Sequence, residues 1–241
     1  MTKVYTLITG ATSSIGMEIA LNRARTDNLL LHGRDVDTLS SLAREIRGTK
    51  DIKVWCYDFK KTDELHRDFS QMLDINAIKV NKVVHAAGYL KIMPFRAFKY
   101  QDTVDIFSVN VFSIVEILRV LTRKAHRENL ESVVMMSAFF SKFGDRGNAI
   151  YSSSKGALNS LIKGLAVEFP QARFNAIILG AVRTKMTEHL FDASADMERF
   201  NRYILGTGTT DQVSDTVDFL LSETLWMTGQ EVFLDGGASI A

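Results

Sequence analysis

Seven short runs of β-branched and apolar residues are separated by longer stretches with helical spacing, and few folds accommodate that alternation. The runs are Val4–Thr9, Asn28–His32, Lys53–Tyr57, Lys82–Ala86, Ser132–Ser137, Phe174–Leu179 and Glu231–Asp235. Most are apolar throughout rather than at every second position, as strands covered on both faces require. Between them Leu39, Leu42, Ala43 and Ile46 fall on one helical face, and Ile106, Val109, Ser113, Ile117 and Leu121 trace another. The pattern predicts an α/β fold: a doubly wound, seven-stranded parallel sheet with helices on both faces.

No internal repeat, low-complexity tract or Pro/Gly/Ser-rich linker interrupts the alternation, and the only prolines are Pro94 and Pro170. A single domain over residues 1–241 is therefore expected. The least regular stretch, about 185–210, is polar and mixed and lies between the sixth strand and a helix beginning near Asp211. In an α/β sheet it overhangs the ligand crevice as an ordered lid or a mobile loop, and so forms the substrate loop.

Charge argues against several partners. Lys+Arg 29 against Asp+Glu 28 leaves a net charge of +1, too small for a field that gathers nucleic acid or an anionic membrane. The apolar runs are far shorter than the roughly 18 residues of a membrane span, and the first is too short for a signal peptide. The lone cysteine, Cys56, makes no internal disulfide, which suits a cytoplasmic setting. The five histidines show no metal-ligand spacing, so no metal site is expected.

The first strand runs into Thr9-Gly10-Ala11-Thr12-Ser13-Ser14-Ile15-Gly16 and then a helix over Met17–Arg25. A glycine-bearing turn there offers free N–H groups and a helix dipole to a pyrophosphate, the arrangement of a Rossmann fold. Gly10 and Gly16 also suit a tight turn and close helix–strand packing without any ligand. At the end of the second strand, His32-Gly33-Arg34-Asp35 lacks a carboxylate at Gly33. Arg34 offers a planar fork to a 2′-phosphate, which favours NADP(H) over NAD(H). Two alternatives stay open: Arg34 paired with Asp35 or Asp37 on the surface, and Asp35 as a ribose ligand for NAD(H).

Tyr151 and Lys155 are four residues apart on a helix whose buried stripe is Ala157, Leu158, Leu161, Ile162 and Leu165, so both emerge on one face. A phenol with an ordinary pKa near 10 needs help to act as acid and base at neutral pH. A nearby ammonium and a positive nicotinamide ring favour its phenolate. Asn110 is a second anomaly, an amide among Val109 and Val111 in a helix over Val104–Leu121.

Taken together these residues resemble the short-chain dehydrogenase/reductase family, of the carbonyl/3-oxoacyl reductase type, and the resemblance covers nearly the whole chain. The family's T-G-x-x-x-G-x-G turn is matched by Thr9, Gly10 and Gly16, with Ser14 in place of the middle glycine, where its hydroxyl can donate to phosphate. The segment His85-Ala86-Ala87-Gly88 stands for N-N-A-G, and Asp235-Gly236-Gly237 follows the last strand.

The resemblance implies that Tyr151 exchanges a proton with the substrate oxygen while Lys155 holds the nicotinamide ribose and tunes Tyr151. It implies that Asn110 holds a relay water, that Thr184 meets the nicotinamide amide, and that Asp58 contacts adenine. The cofactor set is Gly10, Thr12, Ser13, Ser14, Ile15, Gly16, Arg34, Asp58, Ala87, Gly88, Tyr151, Lys155 and Thr184. It also implies a homo-oligomer, a dimer or tetramer assembled through the helices carrying Asn110 and Tyr151.

One position departs from the pattern. The family's substrate-binding serine stands thirteen residues before the tyrosine, which here is Ala138. Ser137 and Ser141 are the candidate substitutes, with Ser141 nearer the pocket if the loop turns there. Phe139, Phe140 and Phe143 either wall an apolar pocket or belong to the core. The expected function is NADP(H)-dependent hydride transfer between nicotinamide and a small-molecule carbonyl or alcohol. The alternative is a nucleotide-binding sensor or scaffold on the same fold, with catalysis weakened or lost at Ala138.

Overall fold

The computed structural model describes residues 3–46, 50–191 and 200–241. The strands are β1 (Val4–Thr9), β2 (Asn28–Gly33), β3 (Ile52–Cys56), β4 (Lys79–His85), β5 (Ser132–Ala138), β6 (Arg173–Leu179) and β7 (Glu231–Leu234). The helices are α1 (Ser14–Arg23), α2 (Val36–Glu45), α3 (Leu65–Ile75), α4 (Tyr100–Phe107), α5 (Ser113–Leu121), α6 (Ala149–Glu168), α7 (Glu188–Phe191) and α8 (Thr210–Leu221). All seven strands are parallel, in the order β3-β2-β1-β4-β5-β6-β7. The doubly wound sheet predicted from the hydrophobic pattern is the observed one.

Strand periodicity explains the two-sided core. On one face Leu7, Leu30, Val83, Val133 and Phe174 pack with buried residues of α3, α5 and α6. On the other, Ile8, Leu31, Val84, Val134 and Ile177 meet residues of α1, α2 and α8. Successive residues of a strand thus serve opposite faces, which is why the strands read as unbroken apolar runs.

The chain winds one way from β1 to β3 and the other way from β4 to β7, so the carboxyl ends of β1 and β4 diverge into a crevice. Gly10 follows β1 and Ala86–Gly88 follow β4 at that edge. Among the described residues, no helix is long and apolar enough to cross a membrane.

Boundaries shift where polar residues mask them. β4 begins three residues earlier than its apolar run, because Lys79 and Val80 already pair with Val4 and Tyr5. The single helix expected over Val104–Leu121 is instead α4, a π-helical turn over Ser108–Phe112, and α5. Such a turn commonly marks a functional position, and Asn110 is at its centre.

Candidate active site

The turn after β1 is shaped by close approach. Gly10 has φ +66°, and a Cβ there would lie 2.7 Å from Ala87 Cα. A Cβ on Gly16 would lie 2.2 Å from the Gly10 carbonyl oxygen, so α1 packs directly on the turn. Ser13 caps the helix, its Oγ accepting from the Gly16 N–H at 3.0 Å. The N–H groups of Ser14 and Ile15 are among those with no intrahelical acceptor, and they open toward the crevice. Helix α1 therefore starts at Ser14 rather than Met17, and its first turn belongs to the site.

A cavity of about 340 Å³ extends from this turn, lined by Gly10, Thr12, Ser13, Ser14, Ile15 and Arg34 at one end. Ala87, Gly88, Tyr151, Lys155 and Thr184 line the other end. The donors, hydroxyls and tight glycine turn suit a dinucleotide phosphate. Ser14 Oγ accepts from the Lys185 N–H at 3.2 Å, which leaves its own proton for a phosphate oxygen.

Arg34 is exposed and makes no ion pair among the described residues, so the expected alternative of pairing with Asp35 or Asp37 is not observed. Asp35 instead caps α2, Oδ1 accepting from the Thr38 N–H at 2.7 Å, and does not line the cavity. Asp58 differs from expectation. It does not line the cavity; its Oδ1 accepts from the Lys60 N–H, and the neighbouring Phe59 ring forms the wall. The turn after β3 directs Phe59 inward, where it stacks on His32 at 3.8 Å.

Helix α6 carries Tyr151 and Lys155 on one side, as their spacing predicts. Lys155 is buried, its Nζ donating to the Met136 carbonyl at 2.8 Å and lying 5.8 Å from the centre of the Tyr151 ring. Burial pushes the Tyr151 phenol up to about 12 and the Lys155 ammonium down to about 8. The phenol is thus shifted opposite to the direction expected from the pair, because burial strips water from its charged form. Tyr151 rests as a proton donor, and Lys155 still carries its charge at neutral pH.

Asn110 is fully buried, and its amide is largely spent on structure. Its Oδ1 accepts from the Tyr89 N–H at 2.7 Å; Nδ2 donates to the Tyr89 carbonyl and to Ser154 Oγ at 3.1 and 2.9 Å. Ser154 Oγ in turn donates to the Tyr151 carbonyl at 2.7 Å. The amide thereby clamps the loop after β4 to α6, and one lone pair on Oδ1 remains for the expected water. His85 accounts for the main-chain side. Its Nδ1 accepts from Thr9 Oγ1 and its Nε2–H donates to the Asn110 carbonyl, at 2.9 and 3.2 Å. Burial holds its pKa near 3, so it is neutral and structural.

A second cavity of about 480 Å³ adjoins the first, and the two share Ile15, Ser137, Tyr151, Leu179, Thr184 and Met186. Ala138, Phe139 and Phe140 are on its wall, whereas Phe143 packs behind against Phe139 at 4.4 Å. Ser141 does not line either cavity. Its Oγ accepts from Asn159 Nδ2 at 2.8 Å, because the 3₁₀ turn Phe139–Ser141 rotates it back against α6. Of the two candidate serines Ser137 is the one that lines both cavities, although its proton is directed to the Lys155 carbonyl or Ser141 Oγ, at 3.2 and 3.3 Å. The sequence preference for Ser141 is reversed.

Of the expected substrate loop, residues 192–199 lie outside the described residues. Met186, Thr187, Phe191, Phe200, Arg202 and Tyr203 on either side line the larger cavity. Arg202 and Asn148, which also lines it, were not marked by any motif; their signal is spatial rather than sequential.

Comparison with known proteins agrees with this architecture. The Enoyl-(Acyl carrier protein) reductase family model matches residues 10–239. L-xylulose reductase of Bos taurus is 29% identical, over 96% of this chain and 94% of the relative. The 3-oxoacyl acyl-carrier-protein reductase of Thermotoga maritima is 27% identical, over 97% of each. Two solved structures share the fold. A gluconate 5-dehydrogenase from Burkholderia cenocepacia in complex with NADP and tartrate has TM-score 0.90 at 22% identity, covering 100% of this chain and 97% of that one. A 4-hydroxyisoleucine dehydrogenase complexed with NADH has TM-score 0.88 at 24% identity, covering 98% and 99%. With the family model spanning nearly the whole chain, this protein belongs to the short-chain dehydrogenase/reductase family of oxidoreductases, of the carbonyl/3-oxoacyl reductase type.

Proposed function

We propose that the chain is an NADP(H)-dependent oxidoreductase acting on a small-molecule carbonyl or secondary alcohol, with Tyr151 as acid/base. The observation that carries this reading is the position of Tyr151 on the wall shared by the two cavities, with the Lys155 ammonium on the dinucleotide side and Ala138 on the other. A bound NADPH supplies the hydride, and its oxidised form a positive ring beside the phenol. In the reducing direction Tyr151, kept protonated by burial, gives its proton to the substrate oxygen as the hydride reaches the carbon. Lys155 holds the ribose hydroxyls and offsets the phenolate left behind. Asn110 is a positioning residue that fixes Tyr89 and Ser154 around this pair and holds the relay water.

The preference for NADP(H) rests on Arg34, since the relatives named above include proteins solved with NADP and with NADH. Its guanidinium is exposed on the cavity wall and unpaired among the described residues, while Asp35 is committed to the α2 cap. The remaining cofactor contacts are Thr12, Ser13, Ser14 and Ile15 at phosphate, Ala87 and Gly88 along the chain, and Thr184 at the amide. Ser137 takes the place of the missing serine, turning its hydroxyl to the substrate oxygen.

Titration of NADPH and NADH by fluorescence tests the cofactor. Wild type binds NADPH about 100-fold more tightly, and Arg34→Leu loses that preference while keeping its NADH affinity, by the loss of a charge-assisted phosphate contact. Equal affinities in wild type, or an NADPH preference that survives Arg34→Leu, reject the assignment. Ala138 favours a second reading, an NADP(H) sensor with little catalysis. NADPH binding without turnover of any carbonyl compound supports that reading; turnover lost in Tyr151→Phe rejects it.

A further inference from the structure

Resting on the oxidoreductase reading above, we propose that the substrate of this site is an oxo acid or hydroxy acid whose carboxylate is received by Arg202. Among the described residues, Arg202 is the one cationic side chain lining the larger cavity. Its guanidinium carbon lies 4.6 Å from the centre of the Phe139 ring and 5.9 Å from that of Phe143. The Nε–H is shielded from water and has no hydrogen-bond partner, and no ion pair forms at Arg202 among the described residues. A guanidinium held against an aromatic ring rather than by a carboxylate keeps its N–H fork uncommitted, and that fork matches the two oxygens of a carboxylate.

The framework holds this arginine in place. The Leu205 N–H donates to the Gly236 carbonyl at 3.0 Å and the Gly206 N–H to the Tyr203 carbonyl at 2.9 Å. Tyr203 is buried, with its ring 6.4 Å from that of Phe139. The segment is thereby fastened to the turn after β7, where Gly236 and Gly237 have φ +56° and +85°. Phe139 is fastened to β5 beside Ala138. Arg202 thus stands on a braced segment, with its guanidinium over the Phe139 ring.

The neighbouring polar groups narrow the ligand. Asp145 also lines the cavity; its carboxylate accepts from the Arg146 N–H at 2.9 Å and from Asn148 Nδ2 at 2.8 Å. Asn148 is 1% exposed, and its Oδ1 has no partner. Since a carboxylate only accepts, the bond to Asp145 fixes which end of that amide is Nδ2, and the oxygen is left as an acceptor. The polar groups described on this wall are therefore the Arg202 guanidinium, the Asp145 carboxylate, which already accepts from the Arg146 N–H and Asn148, and the Asn148 amide oxygen, within mostly apolar walls such as Leu90, Ile92, Phe140 and Val182. Among the described residues the cavity has one guanidinium and no lysine, which suits a monoanion, and about 480 Å³ suits a small free acid. Reduction of its carbonyl takes a hydride from NADPH and a proton from Tyr151, releasing the hydroxy acid and NADP⁺.

The experiment titrates NADPH-loaded protein by calorimetry with two matched pairs, acetoacetate and its methyl ester, and levulinate and its methyl ester. At least one acid is expected to bind about tenfold more tightly than its ester, as a charge-assisted bidentate contact would provide. Arg202→Met, which keeps an apolar body against Phe139, is expected to abolish the acid-over-ester ratio, and Arg202→Lys to restore part of it. Esters that bind as well as their acids, acids that do not bind, or a ratio that persists in Arg202→Met overturn the proposal. The first two outcomes need no variant to fold. NADPH oxidation is followed in parallel. Acid binding without turnover of these acids or of any neutral carbonyl compound leaves the anion site standing and removes the oxidoreductase reading. Turnover of neutral ketones without acid preference does the reverse.

Discussion

At Tyr151 and Lys155 burial acts on both groups in the sense that keeps each neutral, and only one of these effects opposes the proposed chemistry. A phenol held near 12 is ready to donate, so reduction starts from the resting state. Replacing Tyr151 with Phe is expected to lower turnover by about 10³-fold while nucleotide affinity changes by less than threefold, measured by steady-state kinetics beside fluorescence titration. Ser137→Ala is expected to cost about 10²-fold in kcat, and Ser141→Ala little, because only the first residue lines both cavities. Adding Ala138→Ser to Ser137→Ala restores most of the loss if a donor on this wall is what the reaction lacks; equal effects at the two serines contradict the assignment. Much of this was legible in the sequence, since Tyr151, Lys155 and the glycine turn sit at fixed spacings. The choice between Ser137 and Ser141 was not, because it depends on one 3₁₀ turn. Nor were Arg202 and Asn148, which come to one cavity only through folding, or Phe59, which takes the wall expected of Asp58.

The elements carry these side chains through backbone geometry more than through propensity. Sequence periodicity found each strand and most helices, but the hydrophobic stripe of α4 and α5 runs through the π-helical turn and conceals it. Asn110 was conspicuous there for its polarity, yet its clamp on Tyr89 required the loop after β4 to be in place. Asn110→Leu strands the Tyr89 N–H and carbonyl and is expected to cost about 2–4 kcal/mol in urea unfolding. Helix α6 has a separate signature in its pH dependence. Lys155 is mostly charged below about 8 and mostly neutral above it, so the hold on the ribose proposed for it is present at neutral pH and lost as pH rises. The NADPH dissociation constant is expected to be flat below that point and to rise by up to about tenfold per pH unit above it. Lys155→Met should bind weakly with no such rise; a rise that persists in that variant places the titration elsewhere.

For the whole molecule, the doubly wound sheet was readable because parallel strands buried on both faces write unbroken apolar runs. Its assembly was implied only by resemblance. Phe112 in the π-helical turn is 45% exposed, and Tyr100 and Val167 are 84% and 85% exposed on α4 and α6. We propose that these helices pair between copies, and Phe112→Glu is expected to halve the mass seen by light scattering. Stability also has a global dependence on pH. His32 and His85 are buried with pKa near 3, whereas an unfolded histidine titrates near 6.5. The unfolded chain takes up protons that the folded chain refuses, so their contribution is complete above about pH 6.5 and is lost as pH falls toward 3. Each costs up to about 1.4 kcal/mol per unit below the unfolded value, so the unfolding free energy is expected to drop by about 3 kcal/mol between about pH 6.5 and 5. The most direct measurement of the central claim uses NADPH carrying deuterium at the transferable position. The label is followed by mass spectrometry into the alcohol formed from a panel of carbonyl compounds. The account predicts one deuterium on the former carbonyl carbon in wild type and none above background in Tyr151→Phe; no label in any wild-type product, or undiminished transfer in the variant, contradicts it.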